Sequence, residues 1–487
     1  MLFNSLQYLL FLPLVFILYW WACGRDYKKQ NILLLFARYF FYACWDWRFL
    51  FLLIFSTLLD FYTGLKMSEA NRTSIKRFWF WLSVTVNLGF LGIFKYYNFF
   101  ADSFTHLLNH FGLKVNPGSI DVILPVGISF YTFHGLSYVI DIYRDKIKAE
   151  KNFIDYAVFV CYFPLLVAGP IERATHLLPQ VQAPRYFRSD RAIDGLRQIL
   201  WGLFKKMVIA DNCATWANMI FNQSDHYSGA TLVLGALFFT FQIYGDFSGY
   251  SDIALGTSRL FGIELLRNFA YPYFSRDIAE FWRRWHISLS SWFRDYVYFP
   301  LGGSRVGLWQ KIRNTFIIFT LSGFWHGANW NFIVWGALNA CFFLPLLLVQ
   351  SNRQHLETVA AGRMWPSPRE VLQILLTFGM TVLAWIFFRA ESLTHALTYL
   401  QDLMVGLTAL AQYKSALFLL VKKVGLFLPL MILFLLWMEW KGREQQHALA
   451  RQLHHWPRTL RHAFYYLLIL LIIGFGGSEQ QFIYFQF

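Results

Sequence analysis

The sequence predicts an all-α, polytopic integral membrane protein, and three observations carry that prediction. Apolar residues make up 57% of the 487 and charged residues 15%, more apolar surface than a water-soluble fold can hide. Aromatic side chains reach 20%, with 20 Trp and 26 Tyr suited to membrane–water boundaries. The 43 Lys and Arg, against 28 Asp and Glu, fall in short loops between apolar runs. That is how basic residues distribute when they stay on the cytoplasmic side. A nucleic-acid binder would instead gather them on a soluble face with exposed aromatics, so the net charge of +15 implies topology and no nucleic-acid partner. Cys23, Cys44, Cys161, Cys213 and Cys341 form no CxxC pair and no cluster with histidine, so neither a metal site nor a disulfide framework is expected.

Each element follows from the alternation of apolar and basic stretches. Leu6–Trp21 lacks a basic leader and a small-residue cleavage site and reads as a retained span. It leads into Arg25, Lys28 and Lys29, which places the N-terminus outside. Ile32–Cys44 and Phe49–Leu65 form a hairpin returning to Lys66, Arg72, Lys76 and Arg77. Phe78–Phe100 crosses outward to Asp102–Ser119, and Val122–Tyr143 returns to Arg144, Lys146, Lys148 and Lys151. Phe153–Ala168 has basic residues on both sides and reads as re-entrant. Leu196–Phe221 and Ala230–Tyr244 make an out-and-back pair. From Asp246 to Arg313, short apolar pieces alternate with arginines, which predicts short helices dipping in from the cytoplasmic side.

Thr315–Gln350 is too long for one span of ~20 residues and is interrupted by Gly323, Gly327, Asn329 and Asn331. Its flanks are basic, so the break is expected at membrane depth, with His326 in it. Val371–Phe388, Leu417–Trp437 and Phe464–Phe475 complete the bundle. The expectation is about eleven long helices around a central region of short and re-entrant ones, in one domain over residues 1–487.

The candidate chemistry lies between Phe281 and Asn331. A histidine in an apolar segment costs free energy unless it has a partner or a task, and imidazole exchanges protons near neutral pH. His326 is flanked by glycines and is the best general base. His286 follows two arginines and reads either as its assistant or as an interfacial histidine ordering a short helix. Asp246 and Asp252 read either as caps of a re-entrant helix or as groups that position a histidine. Arg283, Arg284, Arg294 and Arg305 read either as phosphate contacts or as cytoplasmic anchors. No GxGxxG, P-loop, HExxH or GxSxG motif is present.

Trp325–Asn329 (WHGAN), Phe281–Ser290 (FWRRWHISLS) and Asp246–Asp252 (DFSGYSD) resemble the membrane-bound O-acyltransferases. The match extends to the bacterial branch that O-acetylates alginate and other polysaccharides. Leu124–Tyr131, Ala168–Arg173 and Phe482–Phe487 fit the same branch, so the resemblance covers essentially the whole chain. It implies that His326 and His286 are the catalytic histidines, with Trp325 and Asn329 in support. It also implies acetyl-CoA as a cytoplasmic donor, no permanently bound cofactor, and a polysaccharide acceptor beyond a bacterial inner membrane. The acetyl group is then expected to pass to a periplasmic partner protein or directly to the glycan. Two other readings stay open: D-alanyl transfer to teichoic acid, and a transporter or flippase, although no inverted repeat is visible.

Overall fold

The structure is a computed structural model that describes residues 3–115, 118, 124, 125, 127–165, 169–227, 229–453, 455–477, 480, 482 and 483. The start of the expected span Val122–Tyr143, Val126, the end of Phe153–Ala168 and the terminal Tyr484–Phe487 lie outside the described residues. Among those described, every regular element is helical. The chain divides into two compact units, one of residues 1–191 with 258–266 and one of residues 192–257 with 267–487.

The first unit holds α1 (Leu6–Ile17), α2 (Tyr27–Asp46), α3 (Arg48–Glu69), α4 (Thr73–Leu91), α5 (Tyr97–His110), α6 (Ile128–Tyr143), α7 (Phe153–Cys161) and α8 (Ala174–Val181). Asp26 opens α2 by accepting from the Lys28 and Lys29 main-chain N–H groups. Helices α3 and α4 are joined through a buried polar cluster, since Asp60 accepts from Ser83 Oγ at 2.6 Å and from Asn87 Nδ2 at 2.7 Å. Leu6, Leu9, Leu10 and Leu14 of α1 point outward, as a lipid-facing helix requires. Helix α7 is buried from Asp155 to Cys161, and its 9 residues reach only ~14 Å, which suits a segment that does not span.

The second unit contains α9 (Ser189–Leu203) from Ala192 on, α10 (Asp211–Asn222), α11 (Gly229–Leu260) as far as Thr257, α12 (Ile278–Arg284), α13 (Ile287–Phe293), α14 (Leu308–His326), α15 (Trp330–Leu348), α16 (Pro368–Arg389), α17 (Leu393–Gly406), α18 (Leu410–Phe418), α19 (Phe427–Lys441) and α20 (Arg458–Phe475). Two expectations need correction. Helix α11 runs for 32 residues and carries Asp246 and Asp252 in its interior, so neither caps a re-entrant helix. Leu417–Trp437 is not one straight segment, because the chain bends by 90° between α18 with its π-turn extension and α19. Gly425 at the bend has φ +77°, a conformation that suits glycine. Helix α17 had no counterpart among the expected segments.

Six helices among the described residues are long and apolar enough to cross a membrane, or seven if the bent pair counts as one span. The other expected segments are shorter or interrupted. The predicted short helices do appear as α12 and α13, and both are largely buried within their unit.

Candidate active site

The two histidines stand at helix ends. His326 is the last residue of α14, and the chain is extended at Gly327 and Asn329 before α15 begins. The Asn329 side chain accepts from the Asn331 N–H at 3.2 Å and so starts α15. The Asn331 amide donates to the Ala390 carbonyl just past α16, and Asn329 donates to the Glu391 carbonyl at 3.3 Å. The break is therefore tied down from outside itself. Helices α14 and α15 pack very closely, since a Cβ on Gly323 would lie 2.0 Å from the Phe332 carbonyl oxygen and one on Gly336 2.3 Å from that of Phe319.

His326 is 4% exposed and sits among aromatic rings. Trp335 and Phe388 meet it edge-on at 5.3 and 5.2 Å, and Trp325 at 4.8 Å. The imidazole thus fills packed space between these rings.

His286 lies between α12 and α13 with φ +42°, in the left-handed region, and is 1% exposed. Its Nδ1 is 3.0 Å from Asn268 Oδ1, which also accepts from Ser288 Oγ at 2.9 Å and Ser288 N at 3.3 Å. Main-chain bonds from Ile287 N to Asn268 O and from Ala270 N to Arg284 O lash residues 268–270 alongside. Phe247 of α11 packs against the ring at 4.6 Å. The structure brings both histidines to the same indole: Trp325 is 6.0 Å from His286 and 4.8 Å from His326 by ring centres. A crevice with room for about one water, lined by Lys205, Asp252, Arg267 and His447, opens onto Asn268.

The acidic candidates belong to a different cluster. Asp246 pairs with Lys206 Nζ at 2.8 Å and accepts from the Ile483 N–H at 2.7 Å. Lys206 also pairs with Asp211 at 2.8 Å. Asp252 pairs with Lys205 Nζ at 2.6 Å and accepts from Gln198 at 2.7 Å. Both aspartates thus clamp α11 to the π-turn at Phe204–Ala210. The lysine pair within an apolar run was the available sequence signal, because intramembrane cations need partners.

The arginines divide into two kinds. Arg284 chelates Glu280 at 2.8 and 3.0 Å and donates to the Glu357 carbonyl, while Arg283 donates to the Asn352 and His355 carbonyls at 2.9 Å. These two hold the 352–357 loop. Arg294 pairs with Asp295 and is 57% exposed, and Arg305 is exposed beside the Gly302–Gly303 turn. Asn268 and Glu280 were not singled out from the sequence, since neither carries a motif of its own.

Residues 144–388 match the model of the MBOAT, membrane-bound O-acyltransferase family. The chain is 41% identical to the probable alginate O-acetylase of Pseudomonas aeruginosa, over 81% of this chain and 73% of that protein. It is 35% identical to the peptidoglycan O-acetyltransferase of Helicobacter pylori, over 84% and 81%. It is 29% identical to the teichoic acid D-alanyltransferase of Streptococcus thermophilus, over 60% and 75%.

Proposed function

This chain belongs to the membrane-bound O-acyltransferase family, and we propose that it is a membrane O-acetyltransferase acting on polysaccharide hydroxyls, with His326 as general base. The observation that carries the assignment is the fixed, buried placement of His326 at a helix break whose two sides are pinned by Asn329 and Asn331. Such a base loses little to reorganisation when substrate arrives.

The donor in this reading is a cytoplasmic acetyl thioester, acetyl-CoA. His326 takes the proton of the acceptor hydroxyl as its oxygen attacks the thioester carbonyl carbon. The tetrahedral oxyanion then collapses, the C–S bond breaks, and the thiolate recovers the proton from the imidazolium. His286, held by Asn268, orients the reacting groups from the other side of Trp325. A covalent route would put the acetyl group on His326 first.

Arg294 and Arg305 are the arginines left to meet donor phosphates, because Arg283 and Arg284 hold the protein's own carbonyls. The acceptor is an alginate-like or cell-wall glycan, reached directly or through a periplasmic partner, and the chain resides in a bacterial inner membrane with its N-terminus outside. Acetyl transfer is preferred to D-alanyl transfer because the D-alanyltransferase relative is less similar and matches over a smaller share of this chain.

The test is acetyl transfer from labelled acetyl-CoA by purified His326→Gln, a variant that keeps most of the side-chain volume. The rate should fall by ~10² to 10⁴, the usual contribution of a general base, and should not recover with more donor. A well-folded variant with near-normal transfer would overturn the assignment.

A further inference from the structure

A second basic site lies in the first unit. Arg185, Arg188, Arg191 and Arg259, with Trp20 and Tyr186, line an open cavity of about 240 Å³. The walls are built rather than incidental. Trp20 Nε1 donates to the Leu260 carbonyl at 2.9 Å, and Gln180 exchanges two 2.9 Å hydrogen bonds with the main chain of Glu264.

The charges in this cavity do not balance. Arg259 and Arg191 share Glu264, at 3.1 and 3.8 Å, and Arg188 chelates the exposed Asp190. Arg185 is 4% exposed, yet among the described residues its hydrogen-bond acceptors are neutral: Gln30 Oε1, Asn31 Oδ1 and the Tyr27 carbonyl. Asp155 is joined to it only through the Asn31 amide. Arg185 Nη1 is buried with no hydrogen-bond partner among the described residues. Among the described residues Glu264 and Asp190 face three of these guanidiniums, and Arg185 is the enclosed one with neutral acceptors, a costly state for a cation. The rim is aromatic, with Tyr186 59% and Phe187 52% exposed, as at the level of lipid headgroups.

We propose that this cavity binds a phosphate-bearing anion, either the headgroup of an acidic phospholipid or a soluble phosphate compound. The Nη1 group of Arg185 is the anchor, since its N–H groups are the ones left to donate charge-assisted hydrogen bonds to phosphate oxygens. Arg188, Arg191 and Arg259 supply the remaining field.

The purified full chain is titrated in neutral-lipid nanodiscs with phosphatidylglycerol, with phosphatidylcholine, and separately with inorganic pyrophosphate. Bound lipid is read by native mass spectrometry and the soluble anion by the shift in melting midpoint. A lipid site predicts retention of phosphatidylglycerol over phosphatidylcholine. Affinity should weaken about tenfold in Arg185→Gln and in Arg188→Gln/Arg191→Gln, the loss that accompanies a charge-assisted hydrogen bond. Arg72→Gln/Arg77→Gln, at the start of α4 elsewhere in the unit, should bind as the parent does. A soluble ligand predicts the same arginine dependence for pyrophosphate without lipid preference. Should Arg185→Gln fold poorly, Ala183→Trp obstructs the cavity with its charges intact and should weaken binding equally. The proposal is overturned if neither probe binds, or if binding is unchanged in the rim double variant and in Ala183→Trp.

Discussion

Asn268 sets the protonation pattern of His286. Its side-chain oxygen is identified by the Ser288 main-chain N–H that points at it from 3.3 Å, because only an oxygen can accept there. The His286 nitrogen facing that oxygen at 3.0 Å is therefore the one that carries hydrogen, and in the neutral ring Nε2 keeps its lone pair.

This arrangement can be separated from a purely structural one. Asn268→Ala removes the acceptor and frees the ring to choose its tautomer, so transfer should slow by about tenfold or more, as supporting hydrogen bonds of functional histidines do. Asn268→Asp keeps the acceptor and adds a negative charge beside the imidazole, which favours its protonated form. Its activity should exceed that of Asn268→Ala, with the acid limb of the pH–rate profile moved to higher pH. Identical profiles for the two variants would leave Asn268 a packing residue.

Lys206 holds Asp211 and Asp246 together in a buried cluster. Lys206→Met should cost ~3–5 kcal/mol, because it strands two carboxylates without a counter-charge. Adding Asp211→Asn and Asp246→Asn should restore much of the loss, since an amide in place of the Asp246 carboxylate retains an acceptor for the Ile483 N–H. Thermal unfolding in detergent measures both. A triple variant no more stable than Lys206→Met would contradict the electrostatic explanation.

The close approach of α14 and α15 leaves no room for a methyl group. Gly336→Ala places a Cβ 2.3 Å from the Phe319 carbonyl oxygen, which is backbone and cannot swing aside. The helices must part, carrying His326 away from Trp335 and Phe388. Acetyl transfer should fall by about tenfold or more even where the variant folds, since ångström-scale misplacement is expensive in catalysis. Gly379→Ala, where a Cβ would meet nothing within 4 Å, is the matched control and should behave as the parent.

Much of this was legible in the chain. Hydropathy and charge located most long helices, and Gly323, Gly327, Asn329 and Asn331 marked the break after His326. The continuation of α11 past Asp246 was hidden for a physical reason. Two acids in an apolar run look like the start of a surface region unless their partners are visible, and Lys205 and Lys206 lie about forty residues upstream. Arg283 and Arg284 left two readings open, since a pair of arginines beside a histidine looks like a ligand site as readily as a cytoplasmic anchor. Only the folded 352–357 loop reveals what they hold. Asn268 acts through a single side-chain oxygen, which leaves no pattern along the chain.

The left-handed backbone at His286 bears on how this protein could be engineered. A side chain with a Cβ at φ +42° is strained, and glycine or asparagine would relieve that strain. Selection for heat resistance alone can therefore act on this position, and His286→Asn, which relieves the strain and keeps a polar group beside Asn268, would discard the imidazole in the process. Thermostabilising libraries of this chain should hold position 286 fixed, or select for turnover and durability together.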